Sequence, residues 1–337
     1  MADNDQAIVV GIGRYPRFKG DPLPGAITDA NMMADWLAHS AMANVTLITS
    51  EGSSAQTGKE TYKITDLRPH RSDIDIGFSG YTTNGNGRQG RRLYIYLAGH
   101  GFMPDYKSLA LITAEASGDK FLPNIDGPGW AMWFADQLYF DEIVLWMDCC
   151  ATRAYRYELG APTVDSAAGR QNGRAKLVCG FAAQPSQKSF EGPYGKNGET
   201  MGLFTAQLLR GLEGAAADAQ NNVTSESLKK FMKTTLGAGT DGGTPAGSTV
   251  RQPPEFPFDD DMVFAQAQVP TYSLFVPVPD GEEIELFDGR LKSLGKFNAS
   301  RGRIEAKLHT GLFKVVSGSF SRHFAIAAGA TSNVDLR

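Results

Sequence analysis

Cysteine is scarce in this chain. There are three in 337 residues, Cys149, Cys150 and Cys179. The first two are neighbours that cannot easily bridge each other, which excludes a disulfide framework, and no C-x-x-C or Cys/His spacing suggests a zinc site. A reducing compartment fits that usage, and there a free thiol stays available as a nucleophile. An excess of one charge is missing too: 33 Lys and Arg against 37 Asp and Glu leave a net charge of −4. That balance gives no electrostatic reason to expect nucleic acid or an anionic membrane as partner. No apolar run approaches the roughly 20 residues of a membrane span, and Met1 to Gln6 is polar without a basic-then-apolar leader. A cytoplasmic protein is expected. The rest of the composition, 42% hydrophobic and 21% charged, is ordinary for a globular chain of one large α/β domain, or of a medium domain and a small one.

Apolar runs and turn signals set out the order of elements. Residues 7–11 (A-I-V-V-G) read as a strand, and 11–25 as a loop punctuated by Pro16, Pro22 and Pro24. Thr28 is a candidate N-cap for a helix to Leu37, with Ala30, Met33, Ala34 and Leu37 on one face. Residues 45–48 give a second strand. Strand, helix and strand in that order predict a parallel unit with a right-handed crossover. Residues 52–89 are polar and glycine-rich and read as an insertion or a set of surface loops. Strands are then expected at 93–99, 109–113, 143–149 and 176–181, with helices near 130–138, 202–212 and 225–236 and a last short strand at 262–265. Residues 151–175 and 237–257 read as loops. After Pro270, short alternating segments separated by turns such as Pro279-Asp280-Gly281 predict a small all-β sandwich of six or seven strands.

Two strand ends carry the chemistry. Residues 143–153, I-V-L-W-M-D-C-C-A-T-R, run from an apolar strand into Asp148, Cys149 and Cys150; residues 93–101, L-Y-I-Y-L-A-G-H-G, end in His100 between two glycines. In an open α/β sheet the carboxyl ends of strands face the crevice where sites are built. A thiol needs a base nearby to attack at neutral pH, and His100 meets Cys150 if the two strands are neighbours. The plainer alternative is a turn histidine and two small buried thiols.

These stretches resemble the catalytic core of the caspase and metacaspase clan of cysteine peptidases. A cysteine with a histidine about 50 residues upstream is the arrangement already described for caspases. Residues 23–30, L-P-G-A-I-T-D-A, are similar to the clan's first-helix motif. Residues 180–191 and the following Gly202-Leu203-Phe204-Thr205 are similar to the segments of its smaller half. The resemblance covers roughly residues 5–265. It implies an α/β fold, a mostly parallel sheet flanked by helices, with boundaries at 5–267 for the peptidase domain and 270–337 for the β-sandwich. It further implies Cys150 as nucleophile (third residue of D-x-C), Cys149 as a packing neighbour, and His100 as general base and acid. The backbone N–H groups of Gly101 and Cys150 would form the oxyanion hole. The clan usually follows its nucleophile with His-Ser-Gly or Arg-Gly, whereas Ala151-Thr152-Arg153 stands here.

Further readings depend on that resemblance. Asp148 and Asp29 would line the pocket for the first substrate side chain and select Arg or Lys, which carboxylates bind strongly; the alternatives are a strand-end turn former and an acid complementing a helix N-terminus. Arg153, Arg156, Arg170 and Arg174 lie on the loop after the nucleophile, where peptidases of this clan are activated by cleavage, so a zymogen is expected that cuts itself or is cut by an activating protease. The partners implied are a protein or peptide substrate and a regulatory protein. No cofactor is required, although some metacaspases need calcium; Asp259-Asp260-Asp261 is a candidate that lacks the spacing of a calcium loop. The β-sandwich resembles carbohydrate-binding-like or carboxypeptidase-regulatory-like modules, and His309 and His323 in it are expected at the surface or in packing. Two other readings stay open: a catalytically silent caspase-like scaffold, and another thiol hydrolase such as an acyl transferase.

Overall fold

A computed structural model of the chain describes residues 5–50, 52–55, 68–82, 88–105, 108–118, 121–154, 157–164, 173–195, 197–218, 220–237, 251–267, 271–289, 291–308, 311–318, 320–326 and 333–337. Two compact units are present, one of residues 1–218 with 222–265 and one of 219–221 with 266–337.

The first unit is built on a seven-stranded sheet: β1 (Gln6–Gly11), β2 (Asn44–Thr49), β3 (Gly52–Ala55), β4 (Gly90–Gly99), β5 (Phe140–Cys149), β6 (Lys176–Phe181) and β7 (Glu255–Asp259). Their order across the sheet is β7-β6-β5-β4-β1-β2-β3. The five central strands β6, β5, β4, β1 and β2 are parallel, and β7 and β3 are antiparallel edges. Parallel strands buried on both faces read as continuous apolar runs, which is why 93–99 and 143–149 are legible as strands. Alternation along β4 and β5 assigns each side chain to a layer. Leu93, Ile95, Leu97, Leu145, Met147 and Cys149 belong to one cluster, with Phe78 of α2 (Arg71–Ser79) and Trp130 and Phe134 of α3 (Gly127–Gln137). Tyr94, Tyr96, Ala98, Val144 and Trp146 belong to the other. Their partners are Met33 and Leu37 of α1 (Pro24–His39), Phe204 and Leu208 of α4 (Leu203–Arg210), and Leu228 and Met232 of α5 (Ser225–Gly237).

Several boundaries differ from the sequence reading for identifiable reasons. Helix α1 starts at Pro24, four residues before Thr28, because proline at the first helical position has its φ preset and needs no N–H partner. Helix α3 starts at Gly127, where the Asp126 side chain accepts the Gly129 N–H at 2.9 Å. Within 52–89, read as loop, stand β3 and α2. Helix α2 is short and buries only Ile74 and Phe78, four residues apart, so its period is weak; Asp73 caps it by accepting the His70 N–H. Strand β7 was hidden among Pro253, Pro254 and Pro257, and proline is tolerated there because β7 is an edge strand. The helix read at 202–212 is α helix only to Arg210 and continues as a wider turn, Gly211–Ala215, with Gly214 at φ 121°.

The second unit has seven strands among the described residues: β8 (Thr271–Phe275), β9 (Glu283–Asp288), β10 (Ser293–Asn298), β11 (Arg303–Lys307), β12 (Gly311–Ser317), β13 (Phe320–Ile326) and β14 (Asn333–Asp335). They form sheets of order β11-β8-β14 and β10-β9-β12-β13. Leu274 and Ile304 of the first and Leu286, Phe313 and Val315 of the second share one buried cluster, as a sandwich requires. His323 is exposed on β13, and His309 lies outside the described residues.

Candidate active site

Strands β4 and β5 are hydrogen-bonded neighbours, and their register pairs Leu97 with Met147, Ala98 with Asp148 and Gly99 with Cys149. His100 and Cys150 are therefore the next residues off two adjacent strand ends. Gly101 permits that approach: a Cβ there would lie 2.6 Å from the Cys149 Cβ and 3.0 Å from the Cys150 carbonyl oxygen. The two thiols separate by alternation. Cys149 is buried on the α2/α3 face, with its Sγ 3.7 Å from the Leu97 carbonyl, while Cys150 is half-buried beyond the strand.

His100 is held from the β1–α1 loop. Its Nε2 lies 2.7 Å from the Asp21 carbonyl oxygen. A carbonyl only accepts, so Nε2 carries the proton of the neutral ring and Nδ1 is the basic nitrogen. Burial pushes the His100 pKa below the ordinary imidazole value, against the Asp21 carbonyl, which raises it. The Cys150 thiol donates to the Ser189 carbonyl at 3.8 Å. Burial raises its pKa, as do Asp148 and Glu191, while the Ser189 contact and Lys188 pull it down. Both directions favour the uncharged forms, a neutral imidazole and a thiol. The loop beside Cys150 is tied to its neighbour Ala151 through the Ala151 N–H on the Gln187 carbonyl and the Ser186 N–H on the Ala151 carbonyl.

Asp148 faces the opposite layer from Cys149. Its Oδ1 accepts the Ser189 hydroxyl at 2.5 Å, and its Oδ2 accepts the Thr205 hydroxyl at 2.7 Å and the Thr205 N–H at 3.1 Å. Asp29, on the inner face of α1, takes the Gly202 N–H with both oxygens, at 2.9 and 3.0 Å. The two acids meet at Gly202, where a Cβ would lie 2.2 Å from Asp148 Oδ2 and 2.8 Å from Asp29 Oδ2. Asp29 thus sits inside the helix, not at its N-terminus. Glu191 adds a third carboxylate, paired in register with Gly202 and accepting the Ala26 N–H at 3.1 Å. Burial, then Asp148, pushes the Asp29 pKa well above the usual carboxylate range; burial also raises Asp148 and Glu191. Carboxyls gathered in a poorly solvated place favour their protonated forms in the absence of a cation.

Sequence reading missed Glu191, Ser189, Thr205 and Gln252. Gln252 is fully buried and clamps the 182–190 segment, accepting the Phe190 N–H and donating to the Ala182 carbonyl. Ser189, Glu191 and Thr205 lie in the segments similar to the clan's smaller half, but no role follows for them from that resemblance, and Gln252 lies in no motif. Of the four arginines on the loop after Cys150, Arg153 is exposed in a two-residue strand paired with Phe102–Met103, and Arg174 lies 5.6 Å from the Phe258 ring. Arg156 and Arg170 fall outside the described residues. In the acidic triplet, Asp259 pairs with Lys229, Asp260 accepts the Leu177 N–H, and the Asp261 carbonyl accepts Lys176. Among the described residues no group of three His, Cys, Asp or Glu side chains is placed to hold a metal ion. No described helix is long and apolar enough to cross a membrane.

The strand order, the antiparallel edge and the paired helical layers define a caspase-like fold. Among solved structures, caspase-1 from Spodoptera frugiperda is similar at 12% identity over 79% of this chain and 92% of its own, with a TM-score of 0.50. The structure of its pro-form is also 12% identical, covering 79% and 91% of the two chains with a TM-score of 0.45. No family model and no curated protein matches the sequence.

Proposed function

We propose that the chain is a caspase-like cysteine endopeptidase that cleaves proteins or peptides after Arg or Lys. The observation that supports the reaction is the register of β4 and β5, which makes Cys150 and His100 successive residues off neighbouring strand ends. Nδ1 of His100 takes the thiol proton as sulfur attacks the scissile carbonyl, and the oxyanion is received by the N–H groups of Gly101 and Cys150. His100 then protonates the leaving amine, and water hydrolyses the thioester with the same nitrogen as base. Specificity follows from Asp148, Asp29 and Glu191 around Gly202, which would hold a guanidinium or ammonium group. A fluorogenic panel with Arg, Lys and Asp at the cleaved position tests this: turnover of Arg and Lys peptides, lost in Cys150→Ala and His100→Ala, is expected. An Asp preference removes the pocket assignment and leaves the dyad. Cleavage of the chain within residues 151–175 belongs to the same reading; identical intact masses of wild type and Cys150→Ala after incubation would remove self-processing.

One contact favours a silent scaffold instead: the half-buried Cys150 thiol is directed at the Ser189 carbonyl, 3.8 Å away. No turnover with any peptide, with or without calcium, together with no alkylation of Cys150, would establish that reading.

A further inference from the structure

The loop between β1 and α1 reaches His100 by three routes. Tyr15 accepts the His100 backbone N–H on its Oη at 2.8 Å, and its ring centroid lies 4.7 Å from the imidazole. Phe18 stands 5.4 Å from the imidazole and 5.9 Å from Tyr15. Asp21 supplies the carbonyl at Nε2. The surroundings are shaped to let these groups close in. Gly99, at φ 149°, would carry a Cβ 2.4 Å from Tyr15 Oη, and a Cβ on Gly20 would lie 2.5 Å from Nε2. Tyr15 is buried, and burial holds its phenol neutral, so it remains a hydroxyl at any working pH.

We propose that Tyr15 is a positioning residue for His100: it fixes the backbone through the His100 N–H and packs its ring, tilted by 55°, against the imidazole, keeping Nε2 on the Asp21 carbonyl and Nδ1 free as the base. The three contacts constrain different freedoms. The hydroxyl sets where the Cα sits, the tilted Tyr15 and Phe18 rings crowd the imidazole and limit its rotation, and the carbonyl selects the tautomer. Without the hydroxyl the His100 N–H loses its partner, and the ring can leave the carbonyl. The catalytic consequence rests on the peptidase reading; the structural one does not.

Tyr15→Phe keeps the ring and removes only the hydroxyl, and two readouts separate the possibilities. In 15N spectra of the imidazoles, with His100→Asn assigning the signal, wild-type His100 is expected as the Nε2–H tautomer. Tyr15→Phe should mix the tautomers and move the His100 pKa upward. In kinetics on an Arg peptide, kcat should fall about tenfold with KM within about twofold, as for loss of orientation without loss of binding. The acid limb of the kcat/KM profile should move to higher pH, following His100. Phe18→Leu, which removes no hydrogen bond, should change kcat less. An unchanged tautomer and kcat in Tyr15→Phe overturns the proposal. So does a mixed tautomer already present in wild type, a refutation that holds even where the variant does not fold. A locked wild-type tautomer that Tyr15→Phe releases, in a protein that hydrolyses no peptide, sustains the positioning role and removes the peptidase reading instead.

Discussion

The two ends of strands β4 and β5 handle buried charge in opposite ways. At the amino ends, Arg92 and Glu142 are register partners; Arg92 is 1% exposed and donates to Glu142 at 2.5 and 2.7 Å, to the Tyr94 hydroxyl at 2.7 Å and to the Val263 carbonyl at 2.8 Å. Burial pulls the Arg92 pKa down, but Tyr94 and Glu142 outweigh it and leave it raised. At the carboxyl ends, Asp148 and Asp29 meet over Gly202 with Glu191 nearby, and the described partners of the two aspartates are backbone N–H groups and hydroxyls. Opposite charges at one end satisfy each other and hold the sheet. Carboxyls gathered at the other are raised by burial toward their protonated forms, with no basic side chain among the described hydrogen-bond partners of the two aspartates. On the proposed function, that cluster is the pocket for a cationic substrate side chain.

Substitutions at either strand end separate the two kinds of cluster. The largest effect is expected at the reacting edge: Cys150→Ala should reduce peptide turnover by about 10⁴-fold or more while the thermal midpoint moves little. At the opposite edge Arg92→Met should cost about 3–5 kcal/mol in urea unfolding, since it strands a buried network, and should leave the preference for the cleaved residue unchanged. Gly202→Ala places a methyl group against both aspartates and should lose about 1–3 kcal/mol by overpacking. It should also raise KM for Arg peptides more than it lowers kcat, a split read from steady-state kinetics. The smallest effect concerns Asp29. Its folded pKa lies above the unfolded value of about 3.9, so the native state holds its proton more tightly and this group's contribution falls as pH rises through the folded pKa. Asp29→Asn should therefore flatten the fall in stability toward neutral pH, measured as thermal midpoint against pH, and weaken binding of cationic peptides.

Much of the frame was legible because it is local. Apolar runs at 93–99 and 143–149 announce buried strands, and D-C-C and G-H-G announce where they end. Helix α2 and strand β7 were missed because one has too few apolar positions to show a period and the other is written in prolines. The partners within the site were illegible for a different reason. Ser189 meets Asp148 across 41 residues, Thr205 across 57, and Glu191 meets Ala26 across 165. A hydroxyl or carboxylate at such separation leaves no periodic trace, since its role depends on the chain returning to the same edge.

From sequence alone follow the parallel strands and the thiol, with Asp148 before it, and the imidazole at two strand ends, because alternation and spacing are properties of neighbouring residues. Which thiol faces the core is another matter. Adjacent strand residues must point to opposite faces, but only packing against α2 and α3 on one side and α1 and α4 on the other places Cys149 inward and Asp148 against Asp29. Tertiary structure likewise gathered Asp29, Asp148 and Glu191 at Gly202 and set Asp21 and Tyr15 on His100. Each of those contacts joins segments brought together by burial of the sheet, and no local preference of the chain encodes them.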